Sequence, residues 1–110
     1  MAFEATYMQE GKQIDYTPTG AVAAGEVVEV SQLVGVASSA IAANELGAIQ
    51  VEGVFDFKKT AALAISLGAL VYWDDTANEA NVTSASNMLI GKCVKAALAA
   101  DATVRVRLDQ

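Results

Sequence analysis

Few side chains in this chain are suited to chemistry, and their spacing is poor for it. Three carboxylates, Asp74, Asp75 and Glu79, fall in one polar stretch and are the donor type that calcium and magnesium take. A solvated turn after a strand has the same make-up, and no metal site is assigned. The single cysteine, Cys93, has lysines at 92 and 95 that would lower a thiol pKa. In the run Leu89-Ile90-Gly91-Lys92-Cys93-Val94 it reads instead as a small buried hydrophobe. Histidine is absent, which removes the Ser-His-Asp triad, imidazole acid–base chemistry and most zinc sites. A phosphate-cradling loop needs Gly-x4-Gly-Lys-Ser/Thr. Gly11-Lys12 runs on to Gln13 and Gly91-Lys92 to Cys93, and neither has a glycine five residues earlier. The Gly-x-Ser-x-Gly nucleophile elbow is missing too. No catalytic or cofactor-binding residue is assigned, and no cofactor is expected. Tyr72 and Trp73 are adjacent on an apparent strand and must point to opposite faces, one to the core and one to the surface or an interface.

The elements around these residues carry more information. The chain has 110 residues, one domain's worth, with 7 basic against 13 acidic side chains and a net charge of −6. That balance argues against a broad nucleic-acid footprint, which relies on surplus cations. Hydrophobic residues make up 54% and charged residues only 18%, against about 25% charged in ordinary globular chains. No apolar run approaches the ~20 residues of a membrane helix, and the first residues lack the features of a signal peptide. The expectation is a cytosolic protein without membrane partners that is either a tight alanine-rich monomer or, by preference, hides apolar surface in an oligomer or on a larger assembly. Residues 1–91 hold 3 basic and 11 acidic side chains, while 92–110 hold 4 and 2. Such asymmetry suits head-to-tail pairing with copies or with a complementary scaffold, and equally a strand whose Arg105 and Arg107 only solvate an outer edge and deter aggregation.

The pattern is strand-like throughout. Glu26-Val27-Val28-Glu29-Val30 and Leu33-Val34-Gly35-Val36-Ala37 are short β-branched runs. Residues 48–57 alternate as one strand with a bulge or close approach at Gly53. Ala69-Leu70-Val71-Tyr72-Trp73 forms another, and Thr103-Val104-Arg105-Val106-Arg107-Leu108 has the clearest period of two, with its arginines outward. Residues 58–67 have helix propensity for at most one or two turns and are too short for more than a marginal helix.

An internal echo organises these runs. Ala21-Val22-Ala23-Ala24-Gly25-Glu26-Val27-Val28 returns 43 residues later as Ala64-Ile65-Ser66-Leu67-Gly68-Ala69-Leu70-Val71. Leu33-Val34-Gly35 returns 56 residues later as Leu89-Ile90-Gly91. The 13 residues added between the two spacings fall in 76–87, a polar stretch suited to a loop or hairpin. The expected fold is all-β, a small pseudo-duplicated barrel or sandwich of about seven to nine short strands. Residues 1–17 form an N-terminal arm or first strand without a counterpart in the second half. Residues 18–110 form one β domain of two similar halves, about 18–57 and 58–110.

Read in order, Gly11-x-x-Ile14-Asp15-Tyr16-Thr17-Pro18, Val51-Glu52-Gly53-Val54-Phe55-Asp56, Gly68-Ala69-Leu70-Val71-Tyr72-Trp73-Asp74 and Ala100-Asp101-Ala102-Thr103-Val104-Arg105-Val106-Arg107-Leu108 cover nearly the whole chain. They resemble a family of small tailed-phage head proteins. That family carries two labels, capsid decoration or cement protein and predicted RecA/RadA-type recombinase. A recombinase needs a P-loop ATPase core of α/β type and a cationic DNA path, and this sequence has neither. The resemblance therefore implies a cement protein on the virion head surface, bound to the major capsid protein and to copies of itself as a dimer or trimer. A head–tail connector or tail component and a small ligand-binding barrel are the alternatives. Candidate interface residues are Phe3, Tyr7, Met8, Ile14 and Tyr16 in the arm, with Tyr72, Arg105 and Arg107.

Overall fold

A computed structural model describes residues 4–109. Among them are nine strands and no helix: β1 (Gln13–Tyr16), β2 (Val27–Val30), β3 (Leu33–Ala37), β4 (Gly47–Gln50), β5 (Gly53–Lys58), β6 (Leu70–Asp74), β7 (Glu79–Asn81), β8 (Met88–Lys95) and β9 (Thr103–Leu108). They form two antiparallel sheets, ordered β1-β4-β3-β2 and β5-β9-β8-β6-β7. The fold is all-β and sandwich-like, and neither sheet closes into a barrel. In β9 the side-chain period of two works as expected: Val104, Val106 and Leu108 are buried, while Thr103, Arg105 and Arg107 are exposed.

The duplication appears in the hydrogen bonds. Val22 and Ile41 exchange both backbone bonds, as do Ile65 and Ala97. Gly25 N–H donates to Ala37 O at 2.6 Å, and Gly68 N–H donates to Cys93 O at 2.8 Å. The two glycines have φ of 83° and 84°, the left-handed region that glycine enters without steric cost. Glu45 N–H donates to Ala42 O and Asp101 N–H to Leu98 O, both closing the same turn. Strand for strand, β1, β4, β3 and β2 take the places of β5, β9, β8 and β6. The extra residues of the second half build β7, which pairs with β6 through Tyr72–Asn81 and Trp73–Ala80.

Two expectations need correction, and a third, of at most one or two helical turns in 58–67, resolves to none. Residues 48–57 are two strands, because the chain leaves the first sheet at Val51-Glu52 and re-enters the second at Gly53, whose φ is 132°. The alternation continues across this break, so periodicity does not reveal it. Residues 58–67 contain no helical turn. β5 runs through Lys58, Lys59 N–H donates to Ala102 O, and Ile65 bridges to Ala97. These sheet partners satisfy the backbone of a segment too short for an independent helix. Finally, β1 does have a counterpart: Ile14 opposite Ile49 matches Phe55 opposite Val106.

Apolar residues gather in two clusters. Val22, Val28, Ala37, Ile41 and Ile49 lie over the first sheet, with Ile14, Tyr16, Val30 and Val51 packed at their margin. The larger cluster includes Phe57, Val71, Trp73, Ile90, Val104, Val106 and Leu108 of the second sheet and Val36 of the first. Phe57 and Trp73 have ring centroids 6.1 Å apart, within the range of favourable aromatic pairs. The radius of gyration is 15.3 Å, against ~13 Å for a compact chain of this length. An elongated molecule exposes more surface to partners.

Candidate interaction surfaces

The groups singled out for chemistry are engaged in the fold. Asp74 Oδ1 accepts from the Thr76 and Ala77 amides at 3.0 and 3.1 Å, capping the β6–β7 turn. Asp75 accepts from Trp73 Nε1 at 3.2 Å and Glu79 from the Thr60 hydroxyl at 3.1 Å. Cys93 is buried and its thiol donates to Lys95 O at 3.0 Å. Carboxylates and a thiol held this way position strands.

The interface candidates do not form one patch. Phe3 lies outside the described residues. Tyr7 and Met8 are 79% and 82% exposed in the arm that precedes β1, and nothing in the local pattern gives them a partner strand. Ile14 and Tyr16 are half-buried on β1, at the margin of the first-sheet cluster. Tyr72 sits half-buried on the outer face of β6, and Trp73 is turned into the core. Arg105 Nε donates to Asp56 Oδ1 at 3.0 Å across β5 and β9. That hydrogen bond is the largest cause holding the Asp56 carboxyl below the usual range; burial opposes it, and the arginine and Lys95 charges add to it. Arg107 lies 3.9 Å from Asp109 at the end of the same sheet.

A surface missed in the sequence lies beside Tyr72. Leu67 is 69% exposed, Leu70 47%, Val94 39% and Leu89 37%. With Lys92, Arg107 and Asp109 they line an open groove of about 450 Å³. The signal that could have found it is the repeat itself, since Leu70 falls where Val27 stands in the first half. Periodicity could not, because every residue from Ala69 to Trp73 is apolar or aromatic.

Between the halves, Val27 and Val36 of the first sheet meet Phe55, Phe57 and Trp73 of the second around a cleft of about 710 Å³. Glu29 sits on the same face, and its pKa is raised first by burial and then by the charges of Asp75 and Asp74. Trp73 Nε1 is already bonded to Asp75, so this cleft is a seam between sheets rather than the mouth of a barrel.

Among the described residues no cluster of carboxylates and cysteine is assembled to hold a metal, and several large apolar side chains stand exposed. The sequence model of a family described as phage cement protein matches residues 8–108. The chain belongs to the phage cement protein family. No curated protein and no solved structure matches it. Membership places the chain among capsid-associated structural proteins of phages, and the match spans both sheets and all nine strands.

Proposed function

We propose that this protein decorates the outer shell of a phage head, binding the major capsid protein and copies of itself, and stabilises the shell without catalysis. The observation that carries this reading is the family match across residues 8–108, supported by the large hydrophobic side chains, ten among the described residues, that are left exposed. Packed DNA presses outward on a head. A protein that binds only the mature shell stabilises it by RT ln(1 + [L]/Kd) at each site, about 4 kcal/mol when its concentration is a thousandfold above Kd. Repeated over the lattice, that raises resistance to rupture with no chemical step. The arm before β1 is the contact we assign to the shell, because Tyr7 and Met8 are exposed and pack on neither apolar cluster.

The test adds purified protein to heads from the same genome that lack it, then counts bound copies and measures survival to heating. Hundreds of copies per head and a higher rupture temperature are the expected result. Six or twelve copies would identify a connector instead, and no binding would overturn the reading. Replacing Tyr7 and Met8 together by serine should leave the fold unchanged and weaken head binding at least about tenfold, the loss of ~1.4 kcal/mol. Normal binding by that variant would remove the arm from the mechanism.

A further inference from the structure

The duplicated fold contains one copy of an interface and the two unmatched surfaces of a second. Within the chain, the outer face of the first sheet lies on the inner face of the second. Val27, opposite Val36 in the β2–β3 ladder, packs with Val36 against the cluster that holds Phe57 and Trp73. Glu29 on the same face feels Asp74 and Asp75 across the seam. The pairing registers carry this face onto the second sheet, with one β-bulge between Val71 and Tyr72 that skips Ile90. Val27 opposite Val36 becomes Leu70 opposite Lys92, and Glu29 opposite Val34 becomes Tyr72 opposite Leu89. In the first sheet these positions are buried or half-buried; in the second, Leu70 and Leu89 stand 47% and 37% exposed. The receiving face transfers the other way. Phe55, Phe57 and Trp73 correspond to Ile14, Tyr16 and Val30, which remain partly open at the edge of the first-sheet cluster.

We propose that the groove at Leu67, Leu70, Leu89 and Val94 is filled by a second copy of this chain, which presents Ile14, Tyr16 and Val30. The contact is heterologous: the second half of one copy docks on the first half of the next, repeating between chains the seam already made within each. Charge favours the pairing. The groove carries Lys92 and Arg107 against one acid, Asp109, whereas residues 1–52 hold seven acidic side chains and one basic. The repulsion inside the chain is also absent between chains. Tyr72 replaces Glu29, and Ser31-Gln32 stand where Asp74-Asp75 stand. The inference gives a surface to the self-association named above and is independent of shell binding.

Light scattering on the purified chain, without capsids, tests it. The expected result is an oligomer that the paired substitution Leu70→Glu and Leu89→Glu weakens at least about hundredfold, as loss of central apolar contacts does. Both side chains are exposed, so circular dichroism should show an unchanged fold. A mixing experiment distinguishes head-to-tail from two-fold pairing, with the Cys93→Ser chain alone as the control for the altered core position. Chains carrying Leu70→Cys, mixed with chains carrying Ile14→Cys, both in a Cys93→Ser background, should form a disulfide-linked dimer that neither forms alone. A wild-type monomer, an oligomer indifferent to the paired substitution, or a Leu70→Cys chain that crosslinks to itself would overturn the proposal. None of these outcomes bears on whether the protein binds heads.

Discussion

Gly91 offers a severe test of the strand packing. It lies in β8 opposite Leu108 of β9 and Val71 of β6. A Cβ built there falls within the van der Waals shell of the Arg107 carbonyl oxygen, 3.0 Å from the carbonyl carbon and 3.1 Å from the Asp109 nitrogen. These are backbone atoms and cannot swing aside as a side-chain tip can. In Gly91→Ala, β9 must withdraw by roughly 1 Å, enough to carry a 3.0 Å bond such as Asp109 N–H to Ile90 O beyond hydrogen-bonding range. Losing two such buried bonds, at about 1–3 kcal/mol each, gives a cost near ~4 kcal/mol. For a domain of this size that lowers Tm by roughly 15–25 °C. The repeat supplies the control. At Gly35, the equivalent position, the nearest atom to a new Cβ is Ile49 Cδ1 at 2.6 Å, the tip of a core side chain that can change rotamer for about 1–2 kcal/mol. At Gly11 nothing lies within 4 Å, and alanine should be nearly neutral. Thermal denaturation of the three variants should rank them Gly91→Ala, Gly35→Ala, Gly11→Ala, from worst to best. A Gly91→Ala protein within about 1 kcal/mol of the parent, or one more stable than Gly35→Ala, would refute the packing argument.

Two further substitutions probe polar groups at the seams. Lys59 is 3% exposed, and its Nζ donates to Thr60 O at 2.9 Å, to Leu63 O, and to Ala99 O at 3.5 Å. Lys59→Met leaves these carbonyls without their donor and should cost about 1–3 kcal/mol, with faster amide exchange at Ile65 and Ala97; unchanged exchange would contradict it. Glu29→Gln removes a partly buried charge facing Asp74 and Asp75, and should stabilise the protein at neutral pH by less than about 1 kcal/mol. Because the folded-state pKa of Glu29 is raised, its penalty is present above that pKa and fades as pH falls toward the ordinary 4.5. The difference in Tm between variant and parent should therefore be widest at pH 7 and close on acidification. A difference that widens in acid would reverse the sign of the argument.

The parts of the fold legible in the sequence are those set by local rules. β9 shows its inward and outward residues because valine and arginine alternate. The left-handed turns at Gly25 and Gly68 are visible because two glycines recur in the same apolar frame. Long-range effects were not legible. The break at Val51-Glu52 depends on which sheet receives each side of it, and the burial of Lys59 depends on a carbonyl forty residues away. The surface was the hardest to read. Tyr7 and Met8 stand out as large apolar residues in a polar arm, but Leu70 and Leu89 sit in runs where every neighbour is also apolar. Only the register shows that they face outward.

That register also explains how one architecture serves two ends of a contact. A duplicated sheet has two outer faces and two inner faces, and packing one half on the other covers only one of each. If the remaining pair met only water, the residue equivalent to Val27 and the one that, past the β-bulge, pairs with β6 as Val34 pairs with β2 would be expected to be polar, because an exposed leucine on a sheet face adds nothing to folding and invites association. They are Leu70 and Leu89. The position equivalent to Val36 is Lys92, whose long stem can lie along apolar surface with its charge at the rim. An apolar centre with a charged rim is the arrangement of an interface that must remain soluble before it closes. The same reasoning fixes the effect of Lys92→Val: the groove gains apolar area and loses its rim charge. Association should then tighten and become less sensitive to salt, whereas unchanged salt dependence would place Lys92 outside the contact.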